Sequence, residues 1–340
     1  MKPEKSDKTL TGTILEIQRM STEDGPGLRT TVFFKGCSLR CLWCHNPESI
    51  DMKPQLHWVE PRCIGCKLCI EFCPHGALSF SERGIVIDRE ICRGCGACAD
   101  QCPSTALELL GRTWTVEALA AEVIKDASYF GSTGGVTVSG GEAALQAPFV
   151  SALLKELKAR GIHTALDTSG QCSRAYLDMV LPYTDLVLYD IKEIDPERHR
   201  RFTGSGNETI LENLIHVAGY IGARVLPREL WIRTPVIPGA TDNVETVTAI
   251  GSFIARALGG SVSRWELCAF NNLCRDKYRR LGMEWTYGGA GLIDRETMER
   301  LAGAARASGV DPGIVLWTGS TSLDDTDNDG GKNRKTVRAC

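Results

Sequence analysis

The chain has 340 residues, 43% hydrophobic and 24% charged, with a formal net charge of −3. That balance suits one large globular domain or two smaller ones, and it offers no overall basic character for nucleic acid or an anionic membrane surface. No apolar run reaches the roughly 18 residues a membrane span needs, and the polar start MKPEKSDKTL lacks a signal peptide's apolar core, so the expected location is the cytoplasm.

Fifteen cysteines are several times ordinary usage, and eleven fall in three tight groups between Cys37 and Cys102. In a reducing compartment such grouping points to metal rather than to disulfides. The first candidate strand, Thr31–Phe34, leads into Cys37, Cys41 and Cys44, spaced C-x3-C-x2-C. Three thiolates leave one iron of a four-iron cubane open, and an open position separates a catalytic metal site from a closed structural one. The alternative is a structural site with a fourth cysteine elsewhere. The next two groups are Cys63, Cys66, Cys69 and Cys73 before Pro74, and Cys92, Cys95, Cys98 and Cys102 before Pro103. Each reads C-x2-C-x2-C-x3-C-P, the run that holds 4Fe–4S clusters in bacterial ferredoxins, where the fourth cysteine serves the other cluster. Cys102 is therefore assigned with Cys63, Cys66 and Cys69, and Cys73 with Cys92, Cys95 and Cys98. Gly65, Gly94 and Gly96 suit loops that curl closely around a cluster. An isolated CxxC pair is often zinc; two tandem runs ending in Cys-Pro are not a zinc pattern.

Beyond the cysteines, short apolar runs alternate with amphipathic stretches, as an α/β sheet requires. Val116, Leu119, Ala120, Val123 and Ile124 recur at helical spacing behind a candidate N-cap, Thr115. Strand Gly135–Ser139 ends in Ser139-Gly140-Gly141-Glu142, whose glycines are expected to let backbone approach a ligand. A helix through Phe149–Leu157 ends near Gly161, placed for a C-terminal cap. Strand His163–Asp167 leads to Asp167-Thr168-Ser169-Gly170, strand Leu186–Tyr189 to Asp190-Ile191-Lys192, and strand Leu230–Thr234 carries Arg233; Trp265–Ala269 is the sixth. Each of these charges could singly be an ordinary strand-end ion pair. Together they form a polar ring at one end of the sheet, where cations suit a carboxylate and carboxylates suit an amine or a bound cation.

The C-x3-C-x2-C loop followed one strand later by SGGE resembles the radical S-adenosylmethionine superfamily. With MSTEDGPGLRT, TVFFKGC, GGVTVSGGE, HTALDTSG, LVLYDIK and WIRTPVIPG, residues 11–320 resemble the glycyl radical enzyme activating enzymes. The resemblance implies a partial (β/α)6 barrel in two pieces, residues 11–54 and 109–321. Between them lies a ferredoxin-like two-cluster insert, 55–108, and after them a disordered tail, 322–340. It implies three [4Fe–4S] clusters, with S-adenosylmethionine on the open iron beside Trp43 and its amino group held by Gly140, Gly141 and Glu142. Asp167, Thr168 and Asp190 match a monovalent cation site. Lys192 and Arg233 match cofactor or substrate-loop contacts, and Lys192 joins the three cysteines as a catalytic residue. Asp24, Gly25, Pro26, Gly27 and Arg29 match the segment beside an incoming glycyl loop. The implied activity is reductive cleavage of S-adenosylmethionine to a deoxyadenosyl radical that takes a hydrogen from a glycine of a partner enzyme. The electron would come from a low-potential donor such as flavodoxin or ferredoxin. Two departures stand out: Ala143 follows the GGE, and Asn271 occupies a position where relatives often carry His. The run ELCAFNNLCRDKYRRLG is similar to the sulfonate-lyase group, such as isethionate sulfite-lyase activases. A radical enzyme acting on a small molecule or peptide is the main alternative; a bare electron carrier would leave the open site and the barrel unexplained.

Overall fold

The computed structural model describes residues 10–322; the expected tail lies outside them except for Ser322. Strands β1 (Thr11–Ser21) and β2 (Arg29–Phe34) pair antiparallel, and the chain then passes through the three-cysteine segment into a small substructure. This comprises β3 (Gln55–Trp58), α1 (Leu68–Glu71), the hairpin β4 (Leu78–Ser81) and β5 (Gly84–Ile87), α2 (Ala97–Asp100) and β6 (Leu107–Leu110). β3 and β6 pair antiparallel, Gln55 opposite Leu110, so the excursion leaves and returns through one two-stranded stem. Its core is separate from the main one: Leu56, Leu78, Ile85 and Leu107 pack with Cys69 and Cys98.

The main body resumes with β7 (Arg112–Thr115) and α3 (Val116–Ile124), where Thr115 Oγ1 accepts from the Ala118 N–H as the expected N-cap. There follow β8 (Gly135–Gly140), α4 (Ala147–Ala159), β9 (His163–Thr168), α5 (Arg174–Val180), β10 (Leu186–Asp190), α6 (Pro196–Thr203) and α7 (Glu208–Ala223). The chain closes with β11 (Glu229–Val236), α8 (Val244–Ala257), β12 (Arg264–Ala269), α9 (Arg275–Leu281), α10 (Arg295–Arg306) and β13 (Val315–Thr318). Helix α4 stops where Gly161 takes φ +73 and donates to the Lys158 carbonyl.

All six expected strands form. They belong to a nine-stranded sheet ordered β13-β12-β11-β10-β9-β8-β2-β1-β7, parallel from β2 through β13, with β1 and β7 antiparallel at the other edge. β1, β7 and β13 are additions to the expected set. Side-chain alternation splits the sheet into two faces. Val138, Leu166, Tyr189, Ile232 and Leu267 point to the helix-covered core. There Phe149, Val150, Leu153, Leu154 and Leu157 of α4 are almost wholly buried, worth about 2 kcal/mol each against solvent. The opposite face carries a small apolar cluster, Ala165, Leu186, Leu188 and Trp231. Further along those strands, toward their C-terminal ends, the same face turns polar.

Candidate active site

Strand register decides which polar residues meet. Asp190 lies opposite Arg233, Arg233 opposite Glu266, and Pro235 opposite Cys268. Two residues along from the Leu188–Asp167 pair, Asp190 shares Asp167's face. The result is a cavity of about 540 Å³ lined by Cys37, Cys41, Cys44 and Trp43 on one side and by Ser139, Asp167, Asp190, Lys192, Arg233 and Cys268 on the other. Asp24, Gly140, Gly141 and Thr168 also line it.

The charges pair across strands. Lys192 Nζ lies 2.6 Å from Asp190 Oδ2. Arg233 stands 3.6 Å from both Asp167 and Glu266, and Ser139 Oγ donates to Asp167 at 2.6 Å. Burial pushes the Asp167 carboxyl up to about 7, with Arg233 pulling it back. Burial opposes the charge on Lys192, but Asp190 and Cys41 outweigh it and hold the ammonium protonated. Burial also pushes the Cys37 thiol up to about 11 and Cys41 in the same direction. Such thiols stay protonated near neutral pH unless a bound metal takes the sulfur.

The ferredoxin-type cysteines gather in two further small cavities. One is lined by Cys63, Cys66, Cys69 and Cys102, the other by Cys73, Cys92, Cys95 and Cys98. Each short helix is entered through a left-handed residue, Lys67 at φ +61 and Gly96 at φ +83, which turns the preceding cysteines inward. Among the described residues no Cys, His, Asp or Glu side chains are grouped as one metal ion requires. A cubane binds each cysteine at a different iron, so its ligands stand further apart. The all-thiolate sets fit 4Fe–4S clusters, and the three-thiolate set fits one with an open iron.

The sequence matches the radical SAM superfamily over residues 89–249, a 4Fe-4S dicluster domain over 62–106 and a 4Fe-4S single cluster domain over 23–68. It is 40% identical to a (2S)-3-sulfopropanediol dehydratase activating enzyme of Klebsiella oxytoca, over 81% of this chain and 86% of that one. It is 41% identical to an isethionate sulfite-lyase activating enzyme of Nitratidesulfovibrio vulgaris, over 87% and 95%. The chain belongs to the glycyl radical enzyme activating enzymes. A 4-hydroxyphenylacetate decarboxylase activating enzyme of Clostridioides difficile is 37% identical over 92% of this chain and 98% of its own.

Within this activase the structure adds packing contacts for three of the expected groups. The first concerns Gly140 and Gly141. A Cβ on Gly140 would stand 2.4 Å from the Phe34 nitrogen, and one on Gly141 2.2 Å from the Gly36 carbonyl oxygen. Their small size serves the contact between this turn and the cysteine loop, clinched by Gly141 N–H to Phe34 and Glu142 N–H to Gly36. The second concerns Glu142, which is fully buried and does not line the cavity. Its Oε1 accepts from Thr168 Oγ1 at 2.7 Å and Ala144 N–H at 3.3 Å; its Oε2 accepts from Ser169 N–H at 2.9 Å and Ser169 Oγ at 2.7 Å. It ties the β8 turn to the β9 turn. The third concerns Arg29, which is fully buried rather than at the cavity. It donates to Thr137 Oγ1 at 2.7 Å and to the carbonyls of Val136 and Pro26, bracing the Asp24–Gly27 turn from beneath. In that turn Asp24 accepts from Ser21 and Thr31, and only Asp24 reaches the cavity; Gly27 is needed because a Cβ would strike Gly134.

Sequence reasoning missed the far wall. Cys268, Cys274, His45 and Lys277 all line the cavity. Tyr278 donates to the Cys44 carbonyl at 2.9 Å, Lys277 pairs with Glu48 at 2.6 Å, and His45 Nε2 meets the Asn271 carbonyl at 2.9 Å. Asn271 thus contributes backbone to the cysteine loop's support. The charged run RDKYRR has the composition of a solvated helix; only its proximity to Cys44 reveals the role.

Proposed function

We propose that this activase serves a glycyl radical enzyme that acts on a short aliphatic sulfonate. Support comes from the 40–41% identity to activases named for sulfopropanediol and isethionate enzymes, together with the ELCAFNNLC run. The observation that carries the general chemistry is the meeting of the three-cysteine loop, the SGGE turn and the Asp24 turn at one cavity. S-adenosylmethionine bound there at a reduced cluster would supply the radical chemistry that takes one hydrogen from the partner's glycine.

The chain's own residues do the positioning. Cys37, Cys41 and Cys44 would hold the catalytic cluster, with Trp43 packed beside it between Phe202 and Tyr287. Lys192 and Arg233 supply positive charge for a carboxylate, and Asp167 and Asp190 face an amine or sulfonium. Asp167, Thr168 and Asp190 are also the oxygen donors open to a monovalent cation, in competition with Arg233 and Lys192. Backbone carbonyls of Gly140 and Gly141 remain available at the cavity wall. The Asp24–Gly27 turn, just after Glu23, whose carbonyl accepts from Arg233 at 3.4 Å, forms the side against which an extended glycyl loop would lie. Residues 11–54 and 109–321 would constitute a partial (β/α)6 barrel. The 55–108 insert would hold two clusters and take electrons from a flavodoxin or ferredoxin.

The test is anaerobic electron paramagnetic resonance of the iron-reconstituted protein with reductant, S-adenosylmethionine and candidate partners. A glycine-centred doublet with a sulfonate lyase, and none with an arylacetate decarboxylase, is expected. The reverse preference would overturn the partner assignment. Deoxyadenosine without any glycyl signal would favour a small-molecule substrate.

A further inference from the structure

The two ferredoxin-type cysteine loops stand in different relation to the main body. Contacts of the Cys63–Cys69 loop stay inside the substructure: Arg62 reaches Glu108 and Lys67 lies 4.9 Å above the Phe80 ring. A Cβ on Gly65 would meet nothing within 4 Å. The Cys92–Cys98 loop instead leans on the chain that leads out of the catalytic cysteine loop. Gly94 takes φ +61, and a Cβ there would stand 2.1 Å from the Pro54 carbonyl oxygen. Just before that loop, Arg89 donates to the Leu56 carbonyl at 2.9 Å and to the Arg280 carbonyl at 3.4 Å. Arg280 lies on α9, the same helix whose Tyr278 and Lys277 hold Cys44 and Glu48. A second tie runs through Lys35, fully buried, whose Nζ donates to the Glu48 carbonyl at 2.6 Å and to Gln55 at 3.2 Å on the stem. Cys66 and Cys95 are both exposed, so exposure does not rank the two sites; the contacts do.

We propose that the cluster held by Cys92, Cys95, Cys98 and Cys73 is the inner relay, next to the catalytic cluster. The cluster held by Cys63, Cys66, Cys69 and Cys102 is the outer one, where the electron enters. This rests on the three-cluster reading above. With the clusters in place, one electron from a low-potential protein donor would enter at the outer cluster and reach the catalytic one through the inner one, each donor cluster returning to its oxidised state. The contacts favour this order, because electron tunnelling weakens steeply with distance. Arg89, through its bond to α9, is the positioning residue that holds the inner loop toward the main body, while Lys35 fixes the stem that both loops share.

The deciding experiment is anomalous diffraction at the iron edge from anaerobically reconstituted full-length protein. Three iron centres are expected, with the centre inside the Cys92–Cys98 loop nearer to the catalytic one than the centre inside the Cys63–Cys69 loop. Three centres in the opposite order, or equally distant, would overturn the relay order alone; fewer than three would overturn the cluster reading itself. A spectroscopic check uses Cys66→Ser and Cys95→Ser, each verified by iron content to have lost one cluster, reduced with dithionite. Pulsed resonance should show spin relaxation of the catalytic cluster slowing several-fold in Cys95→Ser and unchanged in Cys66→Ser. The inverse pattern refutes the order, and if either variant loses both clusters the diffraction distances alone decide it.

Discussion

Replacing Glu142 by Gln separates a ligand contact from a structural tie. The carboxylate accepts from two backbone N–H groups, Ala144 on one oxygen and Ser169 on the other, and from the hydroxyls of Thr168 and Ser169. Either amide orientation sets an NH2 against a backbone N–H. The cheaper orientation opposes Ala144, whose bond is the longer at 3.3 Å, and Thr168 can turn its hydroxyl to accept. One buried donor is then stranded and one charge-assisted bond lost, for a cost of about 2 kcal/mol. Glu142→Ala strands both N–H groups and leaves a void in a fully buried site, for about 4 kcal/mol. Urea unfolding of the metal-free protein, followed by far-ultraviolet circular dichroism, should show the midpoint falling in the order wild type, Gln, Ala. S-adenosylmethionine affinity of the reconstituted Gln variant should fall only modestly. An unchanged urea midpoint with a large loss of affinity would refute the tie and return the carboxylate to direct contact with the ligand.

Four further outcomes are expected. Arg29→Lys loses the fork that spans Thr137, Val136 and Pro26 and should destabilise the metal-free protein by about 2 kcal/mol, read as the urea midpoint. Breaking the largely buried Lys192–Asp190 pair with Lys192→Met should cost about 3 kcal/mol, and Asp190→Asn added to it should restore part of the loss, measured by a double-mutant cycle. Asp185 accepts from both Lys158 and the Thr164 N–H, and these hold its carboxyl below the usual range although burial opposes them. Its stabilisation is present above the unfolded-state value of about 3.9 and is lost as pH falls through the folded one; Asp185→Asn should flatten that acid limb of stability against pH. Cys268→Ser and Cys274→Ser should retain the full iron content, whereas Cys41→Ser should lose the catalytic cluster and its resonance signal.

Much of the machinery is legible in the sequence because cluster ligation is local. A C-x2-C-x2-C run must bring its thiolates together within one loop, so Cys63, Cys66 and Cys69 stand out as candidate cluster ligands without a fold. The strand set is legible for a similar reason: fully buried parallel strands are continuous apolar runs. β1 and β13 are harder to read because TGTILEIQRMS mixes polar residues without strict alternation and VLWT is short. The packing partners of Gly140, Gly141, Glu142 and Arg29 are not legible in the sequence, for a common reason. Each answers to backbone or side chains distant in the chain, and no spacing rule reports which neighbour a turn will press against.

The sequence by itself determined the kind of chemistry: iron–sulfur clusters and S-adenosylmethionine, on an α/β sheet. Thiolate spacing and apolar periodicity are short-range properties that survive without tertiary context. Tertiary structure alone decided which polar groups share the cavity, because that depends on register between β8, β9, β10, β11 and β12, where a one-residue slip would turn Asp167, Asp190 and Arg233 into the core. It also decided that α9 supports the catalytic loop, since Tyr278 and Cys44 lie far apart in the chain and meet only when the sheet has formed.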